Sequence, residues 1–117
     1  MTDDEQALLA KHFENRLPSV RATYDEVLAA ARGFGAVREE PKKTSIHLVN
    51  RSAFAGVVTR RDSLILTVKA ETDIASERVI KREQASRNRW HLEIRLSSPD
   101  EVDPEVRDWL RRSYELS

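Results

Sequence analysis

The sequence contains no cysteine, only three glycines, and few aromatic residues. Without cysteine the chain can form no disulfide, no thiolate nucleophile and no zinc site built on sulfur. Three histidines remain, His12, His47 and His91, and no two of them stand three or four positions apart as helical metal ligands would. His12 also lies on an apolar stripe and is interpreted as a packing residue. We therefore predict no metal site, no cofactor and no glycine-rich phosphate loop.

Long apolar runs are missing as well. No window approaches the ~18 consecutive apolar residues that a membrane helix requires. The first residues, Met1–Glu5, are acidic, which is the opposite of the basic start of a signal peptide. We expect no membrane association and a cytoplasmic location.

Neither sign of charge is in excess, because 20 Lys and Arg balance 20 Asp and Glu. The distribution is nevertheless uneven: residues 1–40 carry a net charge of −3, residues 41–97 carry +6, and residues 98–117 carry −3. A basic middle between acidic ends can bind an anion or can complement its own flanks. The second interpretation is favoured because folded domains usually mix charges at their surfaces.

Three helices are predicted in a chain whose 117 residues suit one domain, residues 1–117. Thr2 and Glu5 have the spacing of a capping box, and apolar residues then repeat on one face, so we expect a helix over residues 3–16. Helical periodicity predicts a second helix over residues 19–32. An aspartate followed by proline is a strong helix start and predicts a third helix over residues 104–116.

Strands are predicted within residues 37–96. Residues 44–50 and 90–96 alternate between the two faces, as in antiparallel strands with one solvated face. Residues 64–68 are almost continuously apolar, which indicates a central strand buried on both faces and flanked by helices. The order of elements predicts an α+β fold: a mainly antiparallel sheet of about five to six strands, with two N-terminal helices and one C-terminal helix.

Two short motifs contain residue types that occur in catalytic sites. Glu40-Pro41-Lys42 matches half of a metal-dependent nuclease signature, but the acid upstream of it, Asp25, lies inside a predicted helix. Ser45 and His47 share one strand face, yet a nucleophilic site also needs an acid placed beside the histidine. Neither motif is complete, so no catalytic residue is predicted, and the interpretation as a binding protein is preferred to that as an enzyme.

Basic and hydroxyl residues gather at the start of the second strand, and a further basic residue, Arg60, ends the predicted third strand. We predict that they contact an anion, and the candidates are Lys42, Lys43, Thr44, Ser45, His47 and Arg60. A second basic group, Lys81, Arg82, Arg87 and Arg89, lies in the later hairpin. Together the two groups leave nucleic-acid binding open as an alternative.

Four segments occur together in this chain: Pro41–Ile46, Phe54–Ala55, Asn88–Trp90 and Asp103–Leu110. Over about residues 12–114 the chain resembles the bacterial family called domain of unknown function 5655. The resemblance implies a protein that occurs alone or at the C-terminal end of a larger one. Some members carry the label of predicted transport protein and others have nuclease-like partners. No catalytic residues are established for the family, so the resemblance implies none here.

Two hypotheses from different classes follow. The first is a non-catalytic binding or interaction module in which the Pro41–Ile46 segment contacts an anion; its partner would be a protein or a nucleic acid. The second is an enzyme or nuclease accessory, which requires Glu39, Glu40, Lys42 and His47 to converge. Either is compatible with a homodimer formed through an exposed sheet edge.

Overall fold

A computed structural model describes all residues from Met1 to Ser117. The elements along the chain are α1 (Asp3–Lys11), α2 (Pro18–Arg32), β1 (Arg38–Pro41), β2 (Ile46–Val49), β3 (Ala53–Thr59), β4 (Leu64–Ala70), β5 (Val79–Ser86), β6 (Arg89–Leu96), a 3-10 turn (Pro99–Glu101) and α3 (Pro104–Glu115). The six strands form one antiparallel sheet in the order β1-β2-β3-β4-β6-β5. The predicted α+β class, with two N-terminal helices and one C-terminal helix, is confirmed.

The first helix starts where the capping box predicts and stops earlier than expected. The Thr2 hydroxyl accepts from the Glu5 amide at 3.1 Å, and the Glu5 carboxylate accepts from the Thr2 amide at 3.3 Å. The helix ends at Lys11 rather than at residue 16. A series of turns follows, and Asn15 adopts a φ of 57°, a left-handed conformation that cannot continue a right-handed helix.

The other two helices begin at proline. Pro18 occupies the first turn of α2, one residue before the predicted start, and Leu17 precedes it without any side-chain cap. In α3 the predicted cap is present, because an Asp103 carboxylate oxygen accepts from the Val106 amide at 3.0 Å. Proline suits both starts because its fixed φ matches a helix and its missing N–H would be unpaired there.

All three helices pack on one face of the sheet. The core between them contains 23 buried residues, among them Tyr24, Leu66 and Leu110. Val49 and Ile65 are also buried, but they point to the other face and lie outside this core. The central position predicted for residues 64–68 is correct. The prediction that helices flank this strand holds for one face only; on the other face Ile65 is buried without a helix above it.

The uncovered face is called the open face below. A row of cross-strand neighbours crosses it from β1 to β6 and consists of Glu40, His47, Gly56, Thr67 and Glu93. Cross-strand neighbours point to the same side of a sheet. This row of the open face therefore presents polar side chains on either side of one glycine.

The antiparallel order decides which turns lie together. The β1–β2 and β3–β4 turns lie at one end of the sheet, where the Lys42 amide donates to the Ser45 carbonyl and the Arg60 amide to the Ser63 carbonyl, each at 2.7 Å. The β5–β6 turn lies at the opposite end, because Ala70 at the end of β4 pairs with Trp90 at the start of β6. None of the helices has both the length and the apolar character that a membrane span demands.

Candidate functional site

The end of the sheet that holds the β1–β2 and β3–β4 turns also receives the C-terminal end of α1. A pocket of about 490 Å³ lies between these three segments and is called the basic pocket. No aspartate or glutamate lines it. Its polar lining residues are Lys11, His12, Arg16, Lys43, Thr44, Thr59 and Arg60.

Hydrogen bonds join the residues that follow α1 to the β1–β2 turn and to the end of β3. His12 Nε2 lies 2.7 Å from the Lys42 carbonyl oxygen, which ties the end of α1 to the β1–β2 turn. The Thr59 hydroxyl donates to the His12 carbonyl at 2.5 Å. Arg16 donates from Nε to the Thr59 hydroxyl at 3.2 Å and from Nη2 to the Thr59 carbonyl at 3.4 Å. These bonds hold the Arg16 guanidinium against β3 and use only part of its five N–H donors.

The cations of the basic pocket lack acidic partners. Ten of the 20 lysines and arginines in the chain lie within 4.0 Å of a carboxylate. Lys11, Arg16, Lys43 and Arg60 are all among the other ten. Four uncompensated positive charges around one concavity create a positive potential, which attracts anions.

The structure divides the six residues that the sequence predicted to contact an anion. Three of them line the basic pocket: Lys43, Thr44 and Arg60. The Lys42 ammonium instead lies 3.5 Å from Glu40. Ser45 and His47 line a different concavity on the open face.

Three further polar residues of the pocket were not predicted from the sequence as anion contacts. Lys11, His12 and Arg16 come from α1 and the turns after it, 30 or so residues from the β1–β2 turn. The sequence pattern interpreted His12 as a packing residue, and it is half-buried as expected, but its ring also contacts the turn backbone. No local sequence pattern predicts this contact, because it depends on how α1 packs beside the sheet.

The four residues of the enzyme hypothesis do not converge. Glu40 and His47 are cross-strand partners on the open face, so these two do share a side. Glu39 points to the opposite face, where the Tyr24 hydroxyl donates to it at 2.6 Å and its side chain is 11% exposed. Burial and the hydrogen bond to Glu39 raise the pKa of Tyr24 well above its usual range. This pair is a structural contact between α2 and β1.

Glu40 is engaged by cations and has no second acid beside it. Arg38 donates to the Glu40 carboxylate at 2.7 Å, and Lys42 lies 3.5 Å from it. The Arg38 hydrogen bond lowers the pKa of Glu40. Nowhere in the chain do three His, Asp or Glu side chains group closely enough to hold a metal ion. The nuclease-like motif therefore gains no metal-binding partner from the fold.

The two basic groups recognised in the sequence do not form one surface. Lys81 and Arg82 have acidic partners, Glu93 at 3.8 Å and Asp73 at 2.9 Å. The β5–β6 turn that carries Arg87 lies at the far end of the sheet, in a molecule 38 Å long. The later hairpin therefore does not extend the basic pocket.

A family model matches nearly the whole of this chain. The family model described as Domain of unknown function (DUF5655) matches residues 9–117, and the chain belongs to that family. Neither a search of curated proteins nor a search of solved structures gives a match. The family assignment confirms the resemblance noted in the sequence and assigns no activity.

Proposed function

We propose that this protein is a non-catalytic binding module whose basic pocket takes the phosphate group of a small ligand. The observation that carries the proposal is the convergence of Lys11, Arg16, Lys43 and Arg60 on one concavity with no carboxylate in its lining. Thr44 adds a hydroxyl donor at the tip of the β1–β2 turn. Several charged donors around one point suit an anion with several charges and several acceptor oxygens, which describes phosphate.

The shape of the pocket favours a compact phosphate over a nucleic-acid strand. Proteins that bind single strands use a long positive groove together with aromatic side chains on which bases stack. The basic pocket is lined by no aromatic residue, and its apolar members are Leu8 and Val58. The remaining unpaired basic side chains of the β5–β6 turn lie at the other end of the sheet. The arrangement therefore supports one bound phosphate group.

The proposal is tested by calorimetric titration with inorganic phosphate, pyrophosphate and a short single-stranded DNA. The pocket variant is Lys43→Ala with Arg60→Ala. Its matched control is Arg87→Ala with Arg89→Ala, which removes the same charge from the far end of the sheet. Because each charge-assisted hydrogen bond is worth more than one kcal/mol, we expect pyrophosphate to bind the pocket variant at least ~10-fold more weakly and the control unchanged.

The salt dependence separates the two ligand classes. A DNA strand contacting all four pocket cations would give a slope of log K against log salt of about −2.8, reduced to about −1.4 in the pocket variant. DNA binding of that kind, with no pyrophosphate binding, would establish the nucleic-acid alternative instead. If none of the three ligands binds even at low salt, the proposal is wrong and the four cations of the pocket contribute only to the charge of the protein surface.

A further inference from the structure

A second concavity lies on the open face, over the middle of the sheet. It measures about 340 Å³, which lies within the range of small-molecule sites. Gly56 forms its floor, with His47 beside it on β2 and Thr67 beside it on β4. Lys69 and His91, a cross-strand pair in the adjacent row, complete one side. We call it the Gly56 concavity.

The fold itself does not require glycine at this position. Gly56 has no positive φ, and the regular pairing around it excludes a bulge at this residue. A Cβ atom built there would meet only Thr67 Cβ, at 3.8 Å, which is an ordinary contact. Glycine inside a strand costs roughly 0.5–1 kcal/mol relative to alanine. Glycine inside a strand also marks places where a ligand or another backbone approaches closely, and the concavity over Gly56 offers room for a ligand.

The polar side chains around the concavity are not engaged by the protein. None of them makes a side-chain hydrogen bond or an ion pair within the chain. These side chains are Ser45, His47, Thr67, Lys69 and His91. By contrast, Glu40 and Glu93 at the two ends of the row each contact a lysine. The concavity thus brings together hydrogen-bond donors that have no partner within the protein, above an apolar floor.

We propose that the Gly56 concavity binds a small planar carboxylic acid. The ring would lie flat on Gly56 between His47 and Thr67, two strand spacings or ~9.6 Å apart, which leaves room for an aromatic ring. Its carboxylate receives hydrogen bonds from Lys69 and from the neighbouring His91. No acidic residue lines the concavity and Lys69 is its one permanent cation, so a ligand with one negative charge and an apolar body fits it.

This ligand differs in chemistry from that of the basic pocket. Val58 borders both sites, so they are neighbours on the protein surface. The basic pocket has four unpaired cations and suits a multiply charged anion, whereas the Gly56 concavity has one cation and an apolar floor. The two sites are therefore separable by ligand and by mutation.

The test is a ¹H–¹⁵N correlation titration of the whole chain with 2-naphthoate and with its neutral amide, 2-naphthamide. We expect saturable shifts of the Gly56 and Thr67 amide signals with naphthoate, and binding of the amide ~10-fold weaker because it lacks the charge. Lys69→Gln should weaken naphthoate binding by about the same factor. Lys81→Gln, which removes the same charge from the edge strand, should leave it unchanged.

The floor is tested separately. Gly56→Val fills the concavity and should abolish the shifts, while Gly56→Ala should weaken binding without lowering the melting temperature, because a Cβ atom fits there. The proposal is overturned if naphthoate shifts neither amide at millimolar concentration, or if both Gly56 variants bind as the parent does. It is also overturned if inorganic phosphate shifts the same two amides as strongly as naphthoate, because the ligand class would then be wrong.

Discussion

Replacing Ser113 by alanine should cost this protein a large part of its stability. Ser113 lies on α3 and is fully buried. Its hydroxyl donates to the Phe54 carbonyl on β3 at 2.5 Å and accepts from the Lys69 amide on β4 at 2.8 Å. The regular β3–β4 pairing ends at the Ala55–Val68 pair. Phe54 and Lys69 are the next residues beyond this pair on β3 and β4. The serine thus bridges the two strands beyond the point where their ladder stops.

The size of the destabilisation follows from the backbone groups that lose their hydrogen-bond partner. Ser113→Ala removes one hydroxyl and leaves two backbone groups, the Phe54 carbonyl and the Lys69 amide, without a side-chain partner. An unsatisfied buried polar group costs about 1–3 kcal/mol. Because the Phe54 carbonyl bond is buried and the Lys69 amide bond only partly buried, the expected loss from the two groups together is about 2–4 kcal/mol. Typical domains have a free energy of unfolding of about 5–15 kcal/mol. A loss of the size expected here lowers the melting temperature of a domain of this length by about 8–16 °C.

Urea denaturation followed by circular dichroism measures the loss, with Ser97→Ala as the control. Ser97 is exposed and its hydroxyl makes no hydrogen bond within the chain, so its removal should change stability by less than about 0.5 kcal/mol. Hydrogen exchange should also show faster exchange of the Lys69 amide in Ser113→Ala. A destabilisation below about 0.5 kcal/mol would refute the reasoning, because the strands would then satisfy Phe54 and Lys69 without the serine.

Two further perturbations test the packing of α3. The Val106 amide and the Arg78 guanidinium hold the pKa of Asp103 below its usual range, so its carboxylate stabilises the fold fully above about pH 4 and loses this effect as pH falls through the folded pKa. Asp103→Asn keeps a capping side chain but removes the titrating carboxyl, so the free energy of unfolding should fall less steeply as the pH is lowered. The difference from the parent protein should be below about 1 kcal/mol because the site is partly exposed. An unchanged dependence of stability on pH would contradict this. Gly35 has a φ of 155° and an added Cβ would collide with the Tyr114 hydroxyl, so Gly35→Ala should lower stability by about 1–3 kcal/mol in thermal unfolding, and a neutral result would contradict the contact.

Much of the fold could be predicted because its signals are local. The capping box at Thr2 and the Asp103 cap depend on residues three positions apart, and both are present in the structure. The alternation over residues 90–96 predicted which side chains of β6 face the core, and Leu92, Ile94 and Leu96 are all fully buried there. The end of α1 could not be predicted, since it depends on the turns around Asn15 and on contacts with β3.

The candidate sites were predictable only in part. The sequence suggested candidate anion contacts in the β1–β2 turn, at the start of β2 and at Arg60 after β3, but it could not tell which of these side chains would have acidic partners. Lys42 is paired with Glu40, whereas Lys43 one residue later is not. Nor could the sequence predict that Arg16 and Arg60 line the same pocket, because this depends on the turns after α1 lying against the end of β3.

The sequence by itself determined the class of fold, the approximate positions of its helices and strands, and the concentration of positive charge between residues 41 and 97. These properties depend on periodicity, capping and composition, which act over a few residues. Only the tertiary structure decided that the helices cover one face, that the basic residues separate to opposite ends of the sheet, and that Gly56 lies among unengaged donors. Those outcomes depend on strand order and helix packing, which bring together residues that are far apart in the chain.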